Sequence, residues 1–147
     1  MSELTARRPD PPSRRYSFTG PNEARTVRLA RDWVACLLQV LGHPLLVEAA
    51  RLCTSEAVTN THMHTHAPAI TVEVSVTDAR VFVFVMDDEA ANSLPAELPE
   101  VSTTRQSGRG LRLIAEYAEV WNVIQGIGTH KTVWFSLAEN QGARCSS

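Results

Sequence analysis

The sequence predicts a two-layer α+β sandwich with helices packed on one face of a sheet. Segment 69–77 alternates apolar and polar residues, and segment 81–86 is almost continuously apolar, so both read as strands that form a hairpin. Before them, segments 21–41 and 44–64 have apolar residues at helical spacing. The expected order is β-α-α-β-β, a long irregular segment, and then α-β-β, in which 119–124 and 131–137 form a second hairpin.

Composition limits the classes of function. The 147 residues suffice for one domain with a sizeable core, and a formal net charge of −2 argues against nucleic-acid binding through bulk positive charge. We find no signal-peptide pattern and no apolar run near the roughly 20 residues that span a bilayer. Cys36 and Cys53 lie in helix-patterned sequence and are expected to be buried. These features predict a cytoplasmic protein that contacts neither membrane nor nucleic acid.

Three boundaries follow from local composition. Residues 1–14 are rich in proline and arginine and are expected to form a disordered arm, whereas 138–147 are expected to be a frayed tail. The domain therefore spans 15–137. Within it, 89–107 lacks sustained periodicity, and such long irregular segments are usually lids or disordered.

The helix at 44–64 carries a carboxylate and an amide among apolar residues. With about 100° of rotation per residue, Asn60 is displaced by only about 40° from Glu56. Four apolar residues point in nearly the same direction as Glu56: Leu45, Ala49, Leu52 and Met63. Val47 and Val58 lie on the opposite side, so a helix covered on both faces is the alternative. An unpaired buried carboxylate is costly, so Glu56 needs either a partner such as an arginine or a functional role.

Two further features have the chemistry of a ligand site. Asp87 directly follows the apolar run 81–86, where its carboxylate can accept a hydrogen bond from a ligand amino group, although strands also end in aspartate to form turns. The run Ser107-Gly108-Arg109-Gly110-Leu111 begins a helix. Its glycines allow close approach to phosphates and Arg109 can add a charged contact, but a plain turn is the alternative.

A run of three histidines, His62, His64 and His66, ends the same helix. A spacing of four residues can bind a metal on a helix face. The alternative is that these side chains interact with the C-terminal helix dipole. No acidic or cysteine residue lies nearby in sequence, which favours the dipole interpretation.

In this order, the segments 51–64 (RLCTSEAVTNTHMH), 81–88 (VFVFVMDD), 107–114 (SGRGLRLI) and 131–137 (KTVWFSL) resemble the GHKL superfamily of ATPases and kinases. The chain is similar in particular to small bacterial regulators related to anti-sigma-factor serine kinases, a likeness that extends to 16–28. The resemblance covers about 15–137. It implies the Bergerat ATP-binding sandwich with a mixed sheet, and ATP and Mg²⁺ as cofactors.

The resemblance also implies roles for single residues. Glu56 matches the family's general base, and Asn60 its magnesium-binding asparagine. His64 falls where these regulators carry a histidine at the end of the helix. Asp87 matches the aspartate that reads the adenine amino group, and Thr132 the threonine near it.

The glycine motif that flanks the phosphates, after a flexible lid, falls on five consecutive residues: Ser107, Gly108, Arg109, Gly110 and Leu111. The sequence departs from the family pattern at Asp88-Glu89-Ala90-Ala91, where small residues are usual, and at His130, where glycine is common. Additional carboxylates beside a tetra-anionic ligand weaken binding unless they point away or recruit metal.

The resemblance therefore predicts a serine/threonine protein kinase that phosphorylates a STAS-type anti-anti-sigma partner and also sequesters a sigma factor. Glu56 beside Asn60 favours this hypothesis, because a binding module needs no base. The altered 88–91 segment favours the alternative, a non-catalytic, nucleotide-gated module that sequesters a transcription regulator. A degenerate fold that binds no nucleotide is a third hypothesis, and homodimerisation is left open.

Overall fold

The computed structural model describes residues 14–87, 111–125 and 131–139. Their helices and strands are, in chain order, β1 (Arg14–Pro21), α1 (Ala24–Val40), a 3₁₀ turn (Pro44–Leu46), α2 (Val47–His64), β2 (Ala69–Val76), β3 (Arg80–Asp87), α3 (Arg112–Tyr117), β4 (Val120–Gln125) and β5 (Lys131–Ala138). The predicted α+β class is confirmed, and both predicted hairpins are present.

The sheet has five strands in the order β1-β2-β3-β5-β4, and every pairing between the described strands is antiparallel. The expectation of a mixed sheet is wrong in this respect. Because β5 is antiparallel to both β3 and β4, those two strands run in the same direction. In the chain, α3 lies between β3 and β4. In the sheet, β5 lies between these two parallel strands, so they form no hydrogen-bonded pair with each other.

The main core lies between the sheet and the helices. All three described helices contribute to it, and the sheet contributes alternate residues from its central strands: Ile70, Val72, Val74, Val81, Val83, Val85, Val133, Phe135 and Leu137. A second, smaller cluster on the other face of the sheet consists of strand residues alone: Phe82, Phe84, Met86, Val120 and Trp134. The helices that the structure describes therefore pack on one face, as predicted.

α1 buries the predicted face but begins later than expected. Ala30, Val34 and Leu38 are fully buried in the main core. The sequence predicts Pro21 at the first helical position, but Pro21 ends β1 instead. The Pro21 carbonyl accepts hydrogen bonds from the Glu23 N–H and the Thr26 hydroxyl, and this turn delays the helix.

α2 buries a different face from the predicted one. Its buried residues are Ala50, Cys53, Thr54, Ala57, Val58 and Thr61. This stripe is centred roughly 130° from Glu56, so Glu56 and Asn60 lie beside the packed face rather than within it. Of the residues predicted to share the direction of Glu56, Leu45 lies in the 3₁₀ turn before α2 and is 79% exposed, and Met63 is 70% exposed. The small residues of the buried stripe let α2 approach the sheet closely, which leaves the larger apolar residues on the outer side.

The remaining sequence predictions divide between the described and the undescribed parts of the chain. Cys53 is buried as expected, whereas Cys36 is exposed on α1, so its prediction is wrong. Arg14 belongs to β1 and Ala138 to β5. The rest of the arm, the predicted lid at 89–107 and the tail beyond 139 lie outside the described residues. No helix in the described ranges has the length and apolar content that crossing a bilayer requires.

α1 ends in a Schellman motif at Gly42, where the sequence predicts a break. Gly42 has a φ of +87°, in the left-handed region that side chains disfavour. Its N–H donates to the Gln39 carbonyl at 3.3 Å, and the His43 N–H donates to the Leu38 carbonyl at 2.9 Å. These two bonds pair carbonyls that the helix end leaves without intrahelical partners.

Gly42→Ala should therefore destabilise the fold by about 1 kcal/mol, because alanine pays the left-handed penalty in the folded state. Thermal unfolding should show a Tm lowered by a few degrees. The exposed Gln39→Ala variant, in the last turn of α1, is the matched control. An unchanged Tm for Gly42→Ala would show that the motif does not limit stability.

Candidate functional site

A cavity of about 430 Å³ opens beside α2 and the start of α3. Its lining residues are Ser55, Glu56, Thr59, Asn60, Met63, His64 and Leu113. All of them except Leu113 come from α2, because residues three and four apart lie on one side of a helix. One face of α2 therefore forms most of the wall.

Glu56 has a partner within the fold, but it is not an arginine. Its Oε1 accepts a hydrogen bond from the Ile114 N–H at 3.0 Å. Ile114 is the third residue of α3, and an N–H at that position has no acceptor within its own helix. Glu56 Oε2 accepts no hydrogen bond from the described residues, so one oxygen holds α3 while the residue also lines the cavity.

Cys53 makes a second contact between α2 and the same part of α3. Its Sγ donates to the Leu113 carbonyl at 3.8 Å. Burial, together with the negative charge of Glu56, raises the pKa of the Cys53 thiol to about 12. The thiol therefore keeps its proton at neutral pH and remains a donor. Cys53 and Glu56 thus hold two consecutive residues of the α3 backbone, Leu113 and Ile114.

Asn60 has an unpaired oxygen. Its Oδ1 is buried and has no hydrogen-bond partner among the residues that the structure describes, although Asn60 lines the cavity. A buried polar atom left without a partner costs roughly 1–3 kcal/mol. An amide oxygen is a ligand type that Mg²⁺ accepts, so the residue fits a magnesium ion that also binds phosphate oxygens. His64 lines the same cavity one turn further on, at an exposed position.

Asp87 lies at the end of β3 with only 1% of its surface exposed. Its Oδ2 accepts a hydrogen bond from the Thr65 hydroxyl at 3.2 Å. Thr65 directly follows α2, so this bond connects the carboxylate to the end of the helix that lines the cavity. Sequence reasoning missed Thr65, because a threonine after a helix carries no pattern that distinguishes it from a turn residue.

Thr132 does not share the side of the sheet that Asp87 faces. It pairs with Met86, and directly opposed residues point to the same face. Met86 belongs to the cluster on the face away from the helices. Side chains alternate along a strand, so Asp87 points to the helix side, as does Lys131. The structure therefore places Lys131, rather than Thr132, on the Asp87 side of β5.

The predicted glycine motif is described only at its last residue. Leu111 is 3% exposed and packs in the main core, so its side chain does not line the cavity. The apolar lining residue from this part of the chain is Leu113. Residues 107–110 lie outside the described ranges.

The three histidines do not converge. His62 and His64 lie on nearly opposite sides of α2, because two residues rotate by about 200°, and His66 lies beyond the end of the helix. The Nδ1 of His62 lies 2.7 Å from Asn22 Oδ1, whereas His64 lines the cavity. The described part of the chain contains no group of three or more His, Cys, Asp or Glu residues that could hold a metal ion.

A family model described as the histidine kinase-like ATPase domain matches residues 20–137. The match runs from the end of β1 into β5 and includes all the cavity-lining residues. The chain belongs to the histidine kinase-like ATPase family. It is therefore an ATP-binding domain, and the resemblance to the GHKL superfamily is confirmed. No curated protein matches the chain.

The two cysteines of this ATPase domain should differ in reactivity. In a Cys145→Ser background, Cys36 should react with a thiol reagent in the native protein, whereas Cys53 should react only after denaturation. The physical reasons are exposure for Cys36, and burial with a pKa raised to about 12 for Cys53. The absorbance of the thiolate that the reagent releases gives the number of cysteines that have reacted. Rapid reaction of two cysteines in the native protein would contradict the burial of Cys53.

The same thiol should affect stability at alkaline pH. Between the ordinary value of 9.0 and about 12, Cys53 loses its proton in the unfolded state but keeps it in the folded state. The free energy of unfolding should therefore fall as pH rises through this window, by up to about 1.4 kcal/mol per pH unit. Cys53→Ala should lack this part of the slope.

Proposed function

We propose that the domain binds ATP with Mg²⁺ beside α2, with the phosphates and the metal in the cavity and the base at Asp87, which is not one of the residues that line that cavity. The domain would then act as a serine/threonine protein kinase on a STAS-type anti-anti-sigma partner. The observation that supports this most directly is that Glu56 and Asn60 line one cavity, one helical turn apart, and that Asn60 Oδ1 is buried without a hydrogen-bond partner in the described part of the chain. A base and a magnesium ligand are the groups that phosphoryl transfer to a hydroxyl requires.

Asn60 would hold the metal ion through Oδ1. When bound, Mg²⁺ supplies positive charge that neutralises the phosphate oxygens. A metal–oxygen contact would then give Asn60 Oδ1 the partner that it lacks among the described residues. His64 lies on the same side of α2, one turn closer to its end.

Asp87 would read the base. Its carboxylate is buried and ordered by the Thr65 hydroxyl, and it is an acceptor that suits the 6-amino group of adenine. The desolvation of this carboxylate makes a hydrogen bond to it stronger than the same bond in water.

Glu56 would act as the general base. The serine hydroxyl of the partner forms a bond to the γ-phosphorus of ATP, its proton passes to Oε2 of Glu56, and the bond to the β-phosphate oxygen breaks to release ADP. The Ile114 N–H holds Oε1 throughout, which fixes the direction of the carboxylate.

One observation favours a second function, a non-catalytic, nucleotide-gated module that sequesters a sigma factor or another transcription regulator. The hydrogen bond from Glu56 to Ile114 is a structural role that explains a carboxylate at this position without catalysis. The two functions therefore differ in whether Glu56 changes the rate of phosphate transfer or only holds α3.

Asp87→Asn should weaken ATP·Mg²⁺ binding by roughly tenfold or more, because a charged acceptor is replaced by a neutral one. Isothermal titration gives the affinity, and circular dichroism checks the fold. Asp78→Asn, at an exposed position in the β2–β3 turn, is the matched control and should bind as wild type does. Unchanged affinity in folded Asp87→Asn would remove Asp87 from the site.

Glu56→Gln should separate the kinase from the binding module. Glutamine keeps an oxygen for the Ile114 N–H, so folding and ATP affinity should be retained, but it cannot take a proton. Transfer of labelled phosphate to the partner should fall by about 10²–10⁴. Where the partner is not in hand, slow ATP hydrolysis is the proxy.

Two comparisons make this result specific. Glu48→Gln changes an exposed glutamate in the first turn of α2 and should have no effect. Asn60→Ala should lose magnesium-dependent ATP binding as well as turnover. A wild type without transfer or hydrolysis, or a fully active Glu56→Gln, refutes the kinase and leaves the nucleotide-gated module.

A further inference from the structure

We propose that Thr65 and Asn22 are positioning residues that orient the Asp87 carboxylate and thereby set the selectivity of the site for a 6-amino purine. This inference rests on the proposed function, in which Asp87 reads the base. It assigns a role to the segment between α2 and β2, which lines no part of the cavity described above.

The direction of the Thr65 hydrogen bond follows from its neighbours. The Ala67 N–H donates to Thr65 Oγ1 at 3.2 Å, and a backbone N–H can only donate. The single hydroxyl proton is therefore free to point at Asp87 Oδ2, 3.2 Å away. Thr65 acts as a donor to one named oxygen of the carboxylate, which restricts the rotation of that side chain.

Asn22 holds the backbone that carries Thr65. Its Nδ2 donates to the Thr65 carbonyl at 3.2 Å and to the Ala67 carbonyl at 2.8 Å. Its own N–H donates to the Pro68 carbonyl at 2.9 Å. Three hydrogen bonds from one residue therefore fix the turn between α2 and β2.

His62 fixes the orientation of that asparagine. Because Asn22 Nδ2 donates to two carbonyls, the atom 2.7 Å from His62 Nδ1 is an oxygen that can only accept. His62 Nδ1 must then carry a proton and donate.

The chain of contacts thus runs from His62 through Asn22 and Thr65 to Asp87, where each residue has one defined direction of donation. Asp87 is 1% exposed, so its carboxylate depends on such donors in place of water. Removing the Thr65 hydroxyl leaves the charge in place but removes the donor that fixes Oδ2, which loosens the orientation of the carboxylate. Recognition of an amino group should suffer more than contacts to the sugar or the phosphates.

The test measures selectivity rather than affinity alone. Isothermal titration in Mg²⁺ compares ATP with purine riboside triphosphate, which lacks the 6-amino group. Wild type should prefer ATP by roughly tenfold or more. Thr65→Val, which is close in shape but has no hydroxyl, should reduce this preference to roughly threefold or less while affinity for the analogue stays within about twofold. Thr65→Ser should restore the preference.

The outcomes are distinct. A wild type that binds neither triphosphate refutes the proposed function and this inference with it, and equal binding of both refutes base reading by Asp87. If wild type prefers ATP and Thr65→Val keeps the same preference, this inference alone is overturned. The same conclusion follows if Thr65→Val loses affinity for both triphosphates equally. If Thr65→Val does not fold, the preference for ATP over the analogue is measured in Thr65→Ala and Asn22→Ser instead. A preference equal to that of wild type in either folded variant overturns the proposal.

Discussion

The hydrogen bond between Glu56 and the Ile114 N–H is the interaction on which the cavity depends. α3 has six residues, too few to be stable in isolation, so its position must come from contacts with neighbours. Glu56 and Cys53 supply two of these contacts at the α3 backbone. Since Leu113 is the residue that α3 contributes to the cavity lining, the same two bonds position that part of the wall.

The second half of the site is held by a different kind of constraint. Asp87 ends the strand at the centre of the sheet, where its position is set by pairing with Ile70 on β2. Its charge is removed from water, and one compensating donor, the Thr65 hydroxyl, comes from the turn between α2 and β2. One half of the site therefore depends on helix–helix contact, and the other on the sheet and its adjoining turn.

The sequence predicts the strands well, because alternation along segments such as 69–77 is a local property. It fails for the face of α2, since Ala57 and Thr61 carry less apolar weight than Leu45 and Met63, although the small residues are the buried ones. The bond between Thr65 and Asp87 joins residues 22 apart and depends on how the helix end meets the sheet, which no local pattern encodes.

The packed and cavity-facing residues of α2 alternate in pairs along the chain. The helix buries 53–54, 57–58 and 61, and it turns 55–56, 59–60 and 63–64 to the cavity. One inserted or deleted residue rotates everything beyond it by about 100°, which would move one residue of each pair to the opposite side of the helix. Length variation is therefore forbidden in this helix even where substitution is tolerated, and homologous chains should accommodate insertions outside 53–64.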